Sequence, residues 1–470
     1  MEKLKNFKLL DSQIVELEEF TPKEREYFCC KVIFESKPTK QSYIRSVLFM
    51  PSKFNGIFVA LGNGGMAGAL PEDVTEYTDK GYAVACTDMG TSRYVKGELK
   101  SADVQLYIDF AYRSTHIMTV VCKKLIKAYY GKEPDYSYFY GCSAGGLQSY
   151  SEVQRYPSDY DGVIAGVPSN NAINLVSYFL WCFHKLHDDD GKAKINGSLA
   201  KEISLVGAKF FQLHGDGEKG DNFITYGYVD ENTVTNFIKF LAKEMPSLTR
   251  EQLELLGELY KGPKNPKTGE QIYCGFPIGA EINSNWFKDS QNNKFGLPWY
   301  SLLFGEDFDE RHFDFDKDYN RFNDMVGEHF RATNPNIKPF INNGGKFLSF
   351  SGLADASGPW ADNVKYYNSV CECLGGYDIV SKSFKLFLIP GRGHGESGLG
   401  LNRIGYHQGN YLIDVVRDWR EKGIEPKTLS CSHVDVIDDE QVVKFTREIP
   451  PYKNDKKVEG KDFPHQLKSI

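Results

Sequence analysis

The amino-acid sequence predicts an α/β fold in which a mainly parallel central sheet carries a large insertion. Short apolar runs bounded by glycine-rich turns recur at residues 56–61, 81–89, 160–168, 345–350 and 384–389. Strands that are buried on both faces of a parallel sheet have this pattern. A helical pattern at residues 104–130 separates two of these runs and stops at Gly131, which predicts a crossover helix. The alternation of strand and helix therefore indicates a parallel sheet.

The other elements follow from local patterns. Residues 26–35 and 42–50 alternate apolar and polar side chains around a polar turn, which predicts an antiparallel hairpin at a sheet edge. Residues 136–140 predict a strand, and residues 146–155 predict the helix that follows it. Residues 409–420 predict a closing amphipathic helix, and we expect the charged tail beyond Leu429 to wrap over the surface.

Residues 171–333 lack this alternation and are rich in Asp, Asn, Lys and aromatic side chains. A long insertion in an α/β chain is usually a lid over the strand ends. We therefore predict one domain from residues 1–170 and 334–470, with residues 171–333 as a lid that sets substrate specificity. Within the insertion, Thr249 and Gln252 predict a capping box at a helix N-terminus.

Composition narrows the class of partner. The chain has 470 residues, a net charge of -7 and no basic block, which argues against nucleic acid and favours a small-molecule substrate. No apolar run reaches the 18 or so residues of a membrane helix. The first ten residues lack the apolar core of a secretory signal, and the ten cysteines form no CxxC pair. We therefore expect a cytoplasmic protein with reduced thiols and no bound metal.

The strongest local motif is GCSAG at residues 141–145, between the predicted strand and helix. A serine at the apex of such a turn exposes its hydroxyl group, and the flanking glycines allow the close backbone contacts. In a chain with 44 glycines, GxSxG alone is also a plausible chance match. The flanking strand and helix favour Ser143 as a nucleophile.

A serine nucleophile needs a histidine base and an acid that orients it. In hydrolases with a doubly wound sheet these residues occur in the order Ser, acid, His, each after a strand. Asp355 and His394 follow the runs at residues 345–350 and 384–389 and complete this order. Asp355 is alternatively an ordinary turn carboxylate or helix cap. His407, just before the closing helix, is better interpreted as structural.

An oxyanion that forms at the serine requires hydrogen-bond donors. The backbone amide of Ala144 is the first candidate, and an amide of Gly64 or Gly65 in the loop at residues 62–65 is the second. An ordinary tight turn is the alternative interpretation of that loop.

With these residues assembled, the chain resembles the tannase and feruloyl esterase family of α/β-hydrolases over most of its length. The segments that carry the resemblance are GNGGMAG at 62–68, GYAVACTDMG at 81–90, YGCSAGGLQSYSEVQRYPSDYDGVIAGVP at 140–168, GGKFLSFSGLAD at 344–355 and PGRGHGESG at 390–398. The resemblance implies an α/β-hydrolase fold with Ser143, Asp355 and His394 as the triad. It also implies that the insertion is a lid that shapes a pocket for an aromatic acid.

The sequence departs from the family in two places. Family members place a cysteine directly after the triad histidine, where it pairs with the cysteine before the serine. Here Cys142 is present but Gly395 follows the histidine, so that disulfide cannot form. The family lid often carries a calcium loop, and the nearest segments, at residues 214–221 and 188–191, have the wrong spacing and are better interpreted as solvated turns.

These observations predict a serine carboxylesterase that hydrolyses esters of phenolic acids, either hydroxycinnamate or galloyl esters, without a cofactor. One alternative is an esterase or acyltransferase that acts on other aryl or alkyl esters, because the lid residues that select the acid cannot be assigned. The other is a catalytically inactive binding protein with the same fold. Four tryptophans are candidates for stacking on a substrate ring, although each is better interpreted as a residue of the hydrophobic core: Trp181, Trp286, Trp299 and Trp360.

Overall fold

The computed structural model describes residues 2–5, 7–9, 11–226, 230–290, 298–406, 411–453, 457–458 and 461–462. Within these residues, nine strands form the central sheet: β1 (Ser12–Phe20), β2 (Cys29–Ser36), β3 (Ile44–Pro51), β4 (Ile57–Leu61), β5 (Ala83–Thr87), β6 (Tyr136–Cys142), β7 (Gly162–Gly166), β8 (Lys346–Gly352) and β9 (Phe384–Ile389). Their order across the sheet is β1-β2-β3-β5-β4-β6-β7-β8-β9.

Strands β4 to β9 are parallel to one another, whereas β1, β2 and β3 are antiparallel and β3 joins the parallel part through β5. The α/β class with a mainly parallel sheet is therefore confirmed. The chain passes from β5 over β4 to β6, so the direction of winding reverses beside β4. Ligands of open α/β sheets bind at the carboxyl ends of the strands next to such a reversal.

The described residues also form sixteen α-helices. They are α1 (Glu2–Lys5), α2 (Thr75–Thr78), α3 (Ser92–Val95), α4 (Val104–Ile108), α5 (Ser114–Tyr130), α6 (Ala144–Arg155), α7 (Ala172–Leu186), α8 (Gly197–Leu213), α9 (Glu231–Glu244), α10 (Arg250–Lys261), α11 (Trp299–Phe304), α12 (Lys317–Val326), α13 (Lys338–Asn342), α14 (Trp360–Leu374), α15 (Tyr377–Val380) and α16 (Tyr411–Glu421). Short 3-10 turns cover Glu281–Asn283, Asn285–Phe287 and Glu310–His312.

The predicted crossover helix is present as α4 and α5, joined without a break by a π-helical turn at Asp109–Arg113. It ends where Gly131 adopts a left-handed conformation with φ of 83°, which glycine reaches without steric cost. Side chains of β4 alternate between the two faces of the sheet, and both faces are covered. Helices α5, α6 and α14 pack on one face, and α2 and α16 pack on the other.

Two expectations about the sheet and the tail are wrong. The β2–β3 hairpin forms as predicted, but it does not lie at the sheet edge, because β1 pairs with β2 outside it. The tail beyond Leu429 does not simply wrap over the surface. It forms an antiparallel hairpin of β11 (Leu429–Ile437) and β12 (Glu440–Ile449), which extends a short strand β10 (Arg403–Ile404). Apolar residues occupy alternate positions of β11, with a shift at the bulge between His433 and Val434, and that pattern was the missed signal.

A second short pair, β13 (Lys457–Val458) and β14 (Lys461–Asp462), follows the hairpin. The closing helix is observed from Tyr411, while His407 and the predicted helix start at residue 409 lie outside the described residues. No helix in the described part of the chain is long and apolar enough to cross a membrane.

The segment between β7 and β8 has helices joined by turns and irregular loops in its described residues, and it packs in two parts. Side chains from residues 175–287 form an apolar cluster of their own, which also takes in Ala354 and Ala356 beside Asp355. Side chains from residues 299–340 instead join the main core on the α5 face. The predicted capping box is present, because the Thr249 and Gln252 side chains each accept from the other residue's backbone amide.

Candidate active site

Ser143 lies in a strained turn between β6 and α6, with φ of 60° and ψ of -117°. The turn requires glycines around it, since a Cβ atom on Gly141 would lie 2.3 Å from the Gly145 carbonyl oxygen. A Cβ on Gly146 would lie 2.5 Å from the Cα of Pro168. A side chain at Gly141 would push β6 away from α6, and one at Gly146 would push α6 away from the segment after β7, so the turn requires glycine at both positions.

The backbone of Ser143 is fixed from both sides. Its amide donates to the Gly166 carbonyl oxygen of β7 at 2.9 Å. Its carbonyl oxygen accepts from the amides of Gly146 and Ser169 at 2.9 and 3.1 Å, and from the Ser169 hydroxyl at 3.0 Å. These contacts hold an unfavourable backbone conformation so that the hydroxyl group faces the carboxyl edge of the sheet.

Asp355 follows β8 and is completely buried. Its Oδ1 accepts from the backbone amides of Ser357 and Gly358 at 2.8 and 3.0 Å. Its Oδ2 accepts from Nδ1 of His394 at 2.8 Å. Asp355 is thus both a turn carboxylate, as the alternative interpretation had it, and the partner of the histidine.

His394 follows β9 and contacts both other predicted residues. Its Nε2 lies 3.2 Å from the Ser143 Oγ, in position to accept the hydroxyl proton when Nδ1 carries the hydrogen shared with Asp355. About a third of the side chain (35%) is exposed. Burial lowers the pKa of His394, but the charge and hydrogen bond of Asp355 outweigh burial and raise that pKa above its usual 6.5. The structure therefore brings the three predicted triad residues into one hydrogen-bonded series.

The predicted oxyanion donors lie beside the serine. Ala144 is the first residue of α6, so its amide has no carbonyl partner within the helix. The loop at residues 62–65 is attached to the same helix, since the Asn63 carbonyl accepts from Gly145 at 2.6 Å and the Asn63 amide donates to Gln148 at 2.9 Å. Gly64 and Gly65 are exposed. The roles of the Ala144, Gly64 and Gly65 amides remain predictions.

The sequence analysis does not predict the residues that support this loop. The Thr91 hydroxyl donates to the Met66 carbonyl, and the Gly68 amide donates to the Asp88 carbonyl at 3.2 Å. The buried Asp88 side chain in turn accepts from the amides of Arg45 and Gly90 at 2.9 and 2.8 Å. Burial raises the pKa of Asp88. The sequence feature that could have indicated this role is the position of Asp88, an acidic residue directly after a buried strand.

Cys142 carries a free thiol, and Gly395 is exposed with φ of 76°. The thiol donates weakly to the Tyr140 hydroxyl, with 3.8 Å between sulfur and oxygen. Burial raises the pKa of this thiol, so it is held in the neutral form. The two catalytic loops are therefore held together by noncovalent contacts.

The insertion loop that resembles a calcium site does not fit the metal. Both Asp221 oxygens accept from the Arg447 guanidinium of β12, at 2.7 and 2.9 Å, and Glu218 lies 3.2 Å from the same group. Both Asp216 oxygens accept backbone amides, from Thr225 and Tyr226. A guanidinium thus satisfies the carboxylates that calcium would need. Among the described residues, no group of three or more His, Cys, Asp or Glu side chains could hold a metal.

The four tryptophans considered for substrate stacking are buried in apolar clusters. None has more than 9% of its surface exposed: Trp181, Trp286, Trp299 and Trp360. In this conformation they pack as core, in agreement with the simpler interpretation.

The fold defines an α/β-hydrolase, and Ser143, His394 and Asp355 lie where enzymes of this fold carry their triad. The tannase and feruloyl esterase family pattern matches residues 30–462, and the chain belongs to that family. A probable feruloyl esterase B of Aspergillus niger is 30% identical over 429 residues, which cover 85% of this chain and 78% of that protein.

Two solved structures are similar in fold. Feruloyl esterase B from Aspergillus oryzae superposes with a TM-score of 0.79 at 22% identity, over 95% of this chain and 94% of that one. Tannin acyl hydrolase from Aspergillus niger superposes with a TM-score of 0.71 at 18% identity, over 94% and 87%. At these identities the likeness establishes the shared fold and nothing finer.

Proposed function

We propose that this chain is a serine carboxylesterase that hydrolyses esters of phenolic acids, such as feruloyl or galloyl esters, through an acyl-enzyme. The observation that carries the proposal is the hydrogen-bonded series of Asp355, His394 and Ser143 at the carboxyl ends of three parallel strands. Membership of the tannase and feruloyl esterase family supports ester hydrolysis, and the names of the relatives support phenolic acids as the acyl group.

In the acylation step, Ser143 Oγ attacks the ester carbonyl carbon while His394 Nε2 takes the hydroxyl proton. The Asp355 carboxylate keeps Nδ1 protonated and stabilises the imidazolium that forms. The carbon–oxygen bond to the alcohol then breaks, and His394 returns the proton to the leaving oxygen. The products of this step are the free alcohol and an acyl-Ser143 ester.

In the deacylation step, His394 takes a proton from water, and the resulting hydroxide attacks the acyl carbon. The carboxylic acid leaves as Ser143 recovers its proton from the imidazolium. Negative charge develops on the carbonyl oxygen in both steps. The amides of Ala144 and of Gly64 or Gly65 are the donors proposed for it, and each such donor is worth roughly a hundredfold or more in rate.

We also propose that residues 171–333 form the lid that selects the acid. The apolar cluster of this insertion reaches Ala354 and Ala356, on both sides of Asp355. Tyr178 donates from its hydroxyl to the Ala356 carbonyl at 3.2 Å. Asn283 lies so close to the histidine loop that a Cβ on Gly393 would be 3.2 Å from it. The insertion thus packs directly against the acid and histidine loops.

Hydrolysis of methyl ferulate and methyl gallate by the purified protein tests the proposal. Ser143→Ala should lower kcat by several orders of magnitude, and unchanged turnover in that variant would refute the mechanism. A panel of short alkyl esters and acyl-acceptor alcohols separates a phenolic esterase from a general esterase or an acyltransferase. Labelling of Ser143 by a fluorophosphonate excludes an inactive binding protein.

The proposed cellular setting is a reducing compartment such as the cytoplasm. All ten cysteines are free thiols, and Cys142 has no cysteine opposite it on the histidine loop. Disulfides are rare in such compartments.

A further inference from the structure

Arg392 is a buried arginine two residues before His394. Its side chain is buried, with 7% of the residue exposed, and its guanidinium lies 5.8 Å above the ring centre of Phe350 on β8. Nη1 donates to the Asn402 carbonyl, whereas Nε is buried and finds no hydrogen-bond partner among the described residues. No ion pair of the described chain includes Arg392. A desolvated cation without a paired carboxylate is costly, so its presence needs an explanation.

The Phe350 ring under this guanidinium reaches the end of the strand that carries the nucleophile. Phe350 and Cys142 converge on Gly166, where a Cβ would lie 2.4 Å from the Phe350 ring and 2.5 Å from the Cys142 sulfur. The Arg392 side chain therefore packs on Phe350, whose ring lies beside the sulfur of the residue before Ser143.

The backbone of Arg392 contacts the third catalytic loop. Its carbonyl oxygen accepts from the Ala354 amide at 2.9 Å, one residue before Asp355. A Cβ on Gly352 would lie 2.3 Å from the same oxygen, so the two loops pack without a gap. Through its side chain and its carbonyl, this residue contacts β8 and the loop of Asp355, and the Phe350 ring beneath its guanidinium links it to Cys142, the residue before Ser143.

We propose that Arg392 is a positioning residue for ester hydrolysis, because its buried guanidinium locks the His394 turn against the strands that carry Ser143 and Asp355. The inference rests on the proposed function. It gives the chain a noncovalent link at the place where family members, by resemblance, carry a disulfide. The guanidinium acts through the three triad residues and does not touch the ester.

The charge of Arg392 has a second consequence for the base. The groups that act on His394 are Asp355, whose charge raises the pKa of the imidazole, and Arg392, whose charge lowers it. Arg392 itself is faced by Cys142 and Tyr140 from β6, by Cys431 from β11 and by Glu396 from its own loop. Removing the guanidinium charge should therefore raise the pKa of His394 further and shift the acid limb of activity to higher pH.

The test compares two variants. Arg392→Met removes the charge and keeps an apolar side chain, whereas Arg392→Lys keeps the charge and loses the planar guanidinium group. Arg403→Met is the matched control, since Arg403 pairs with Glu396 on the outer side of the same loop. Each variant is assayed for kcat and KM on methyl ferulate and p-nitrophenyl acetate across pH. The rate of Ser143 labelling by a fluorophosphonate is measured in parallel.

Arg392→Met should lower kcat by about tenfold to a hundredfold with KM nearly unchanged. It should also shift the inflection of the acid limb of the pH–activity profile to higher pH. Arg392→Lys should keep the wild-type inflection while kcat stays reduced, and Arg403→Met should match the wild type in both. A wild-type kcat and pH profile in Arg392→Met would overturn the inference. If Arg392→Met does not fold, Arg392→Lys tests the inference alone. Full activity in Arg392→Lys would show that the planar guanidinium group is not needed.

These outcomes separate the two proposals. A wild-type protein that hydrolyses neither ester and resists the fluorophosphonate contradicts the proposed function. Wild-type activity that persists in Arg392→Met contradicts only the positioning role.

Discussion

Replacing Asp355 by asparagine should invert the tautomer of the catalytic histidine. In the structure, Oδ1 of Asp355 accepts two backbone amides, from Ser357 and Gly358, and Oδ2 accepts from Nδ1 of His394. An asparagine here keeps both backbone bonds only when its carbonyl oxygen takes the Oδ1 position. Its NH₂ group then faces His394 and donates to Nδ1. The hydrogen of the neutral imidazole is consequently forced onto Nε2, which can no longer accept the serine proton.

We expect Asp355→Asn to lower kcat about ten-thousandfold, which corresponds to roughly 5 kcal/mol of transition-state stabilisation. The assay is steady-state hydrolysis of methyl ferulate at pH 8, with Ser143→Ala as the floor and a thermal melt to verify folding. Asp161→Asn is the matched control, because Asp161 accepts from Ser137 and Arg420 just before β7, at the opposite edge of the sheet. A loss smaller than tenfold in Asp355→Asn, or an equal loss in Asp161→Asn, would refute the reasoning.

Three further predictions follow from the site and its surroundings. Since the pKa of His394 is raised above 6.5 and only the neutral imidazole accepts a proton, kcat/KM should fall on acidification, with an inflection above pH 6.5; a flat profile down to pH 5 would contradict this. EDTA should leave Tm unchanged, and a wild-type Tm that drops in EDTA would show a bound metal. Arg447→Met should lower Tm, because leaving Asp221 unpaired costs about 3 kcal/mol of folding free energy. Reducing agent should leave activity intact, and a thiol titration of denatured, unreduced protein should detect Cys142; a bridged Cys142 would disprove it.

Local patterns were sufficient for most of the sheet. The parallel strands, the crossover helix and the helix after Ser143 form where the sequence predicts them, because continuous apolar runs and glycine punctuation are local signals. The edge strand β1 and the hairpin of β11 and β12 were missed. Strand β1 is half-exposed and rich in glutamate, so its pairing with β2 depends on an edge that the rest of the chain must first create.

The candidate site likewise has residues that the sequence predicted and residues that it did not. Residue types and chain order led to Ser143, Asp355 and His394, since each follows a strand and the carboxyl ends of parallel strands share one edge. The support of the loop at residues 62–65 by Thr91 and Asp88 was not predicted, because a threonine after a strand has no distinctive pattern.

The sequence by itself determined the fold class, the nucleophile turn and the order of the triad types. These depend on backbone sterics within a few residues and on the succession of strands, and both can be read along the chain. Tertiary structure alone decided which partners the buried or half-buried arginines contact. Arg447 pairs with Asp221 across 226 residues, and Arg392 packs on the Phe350 ring of β8. Such pairs have no local signal, because their partners become neighbours only when the sheet, the insertion and the C-terminal hairpin pack together.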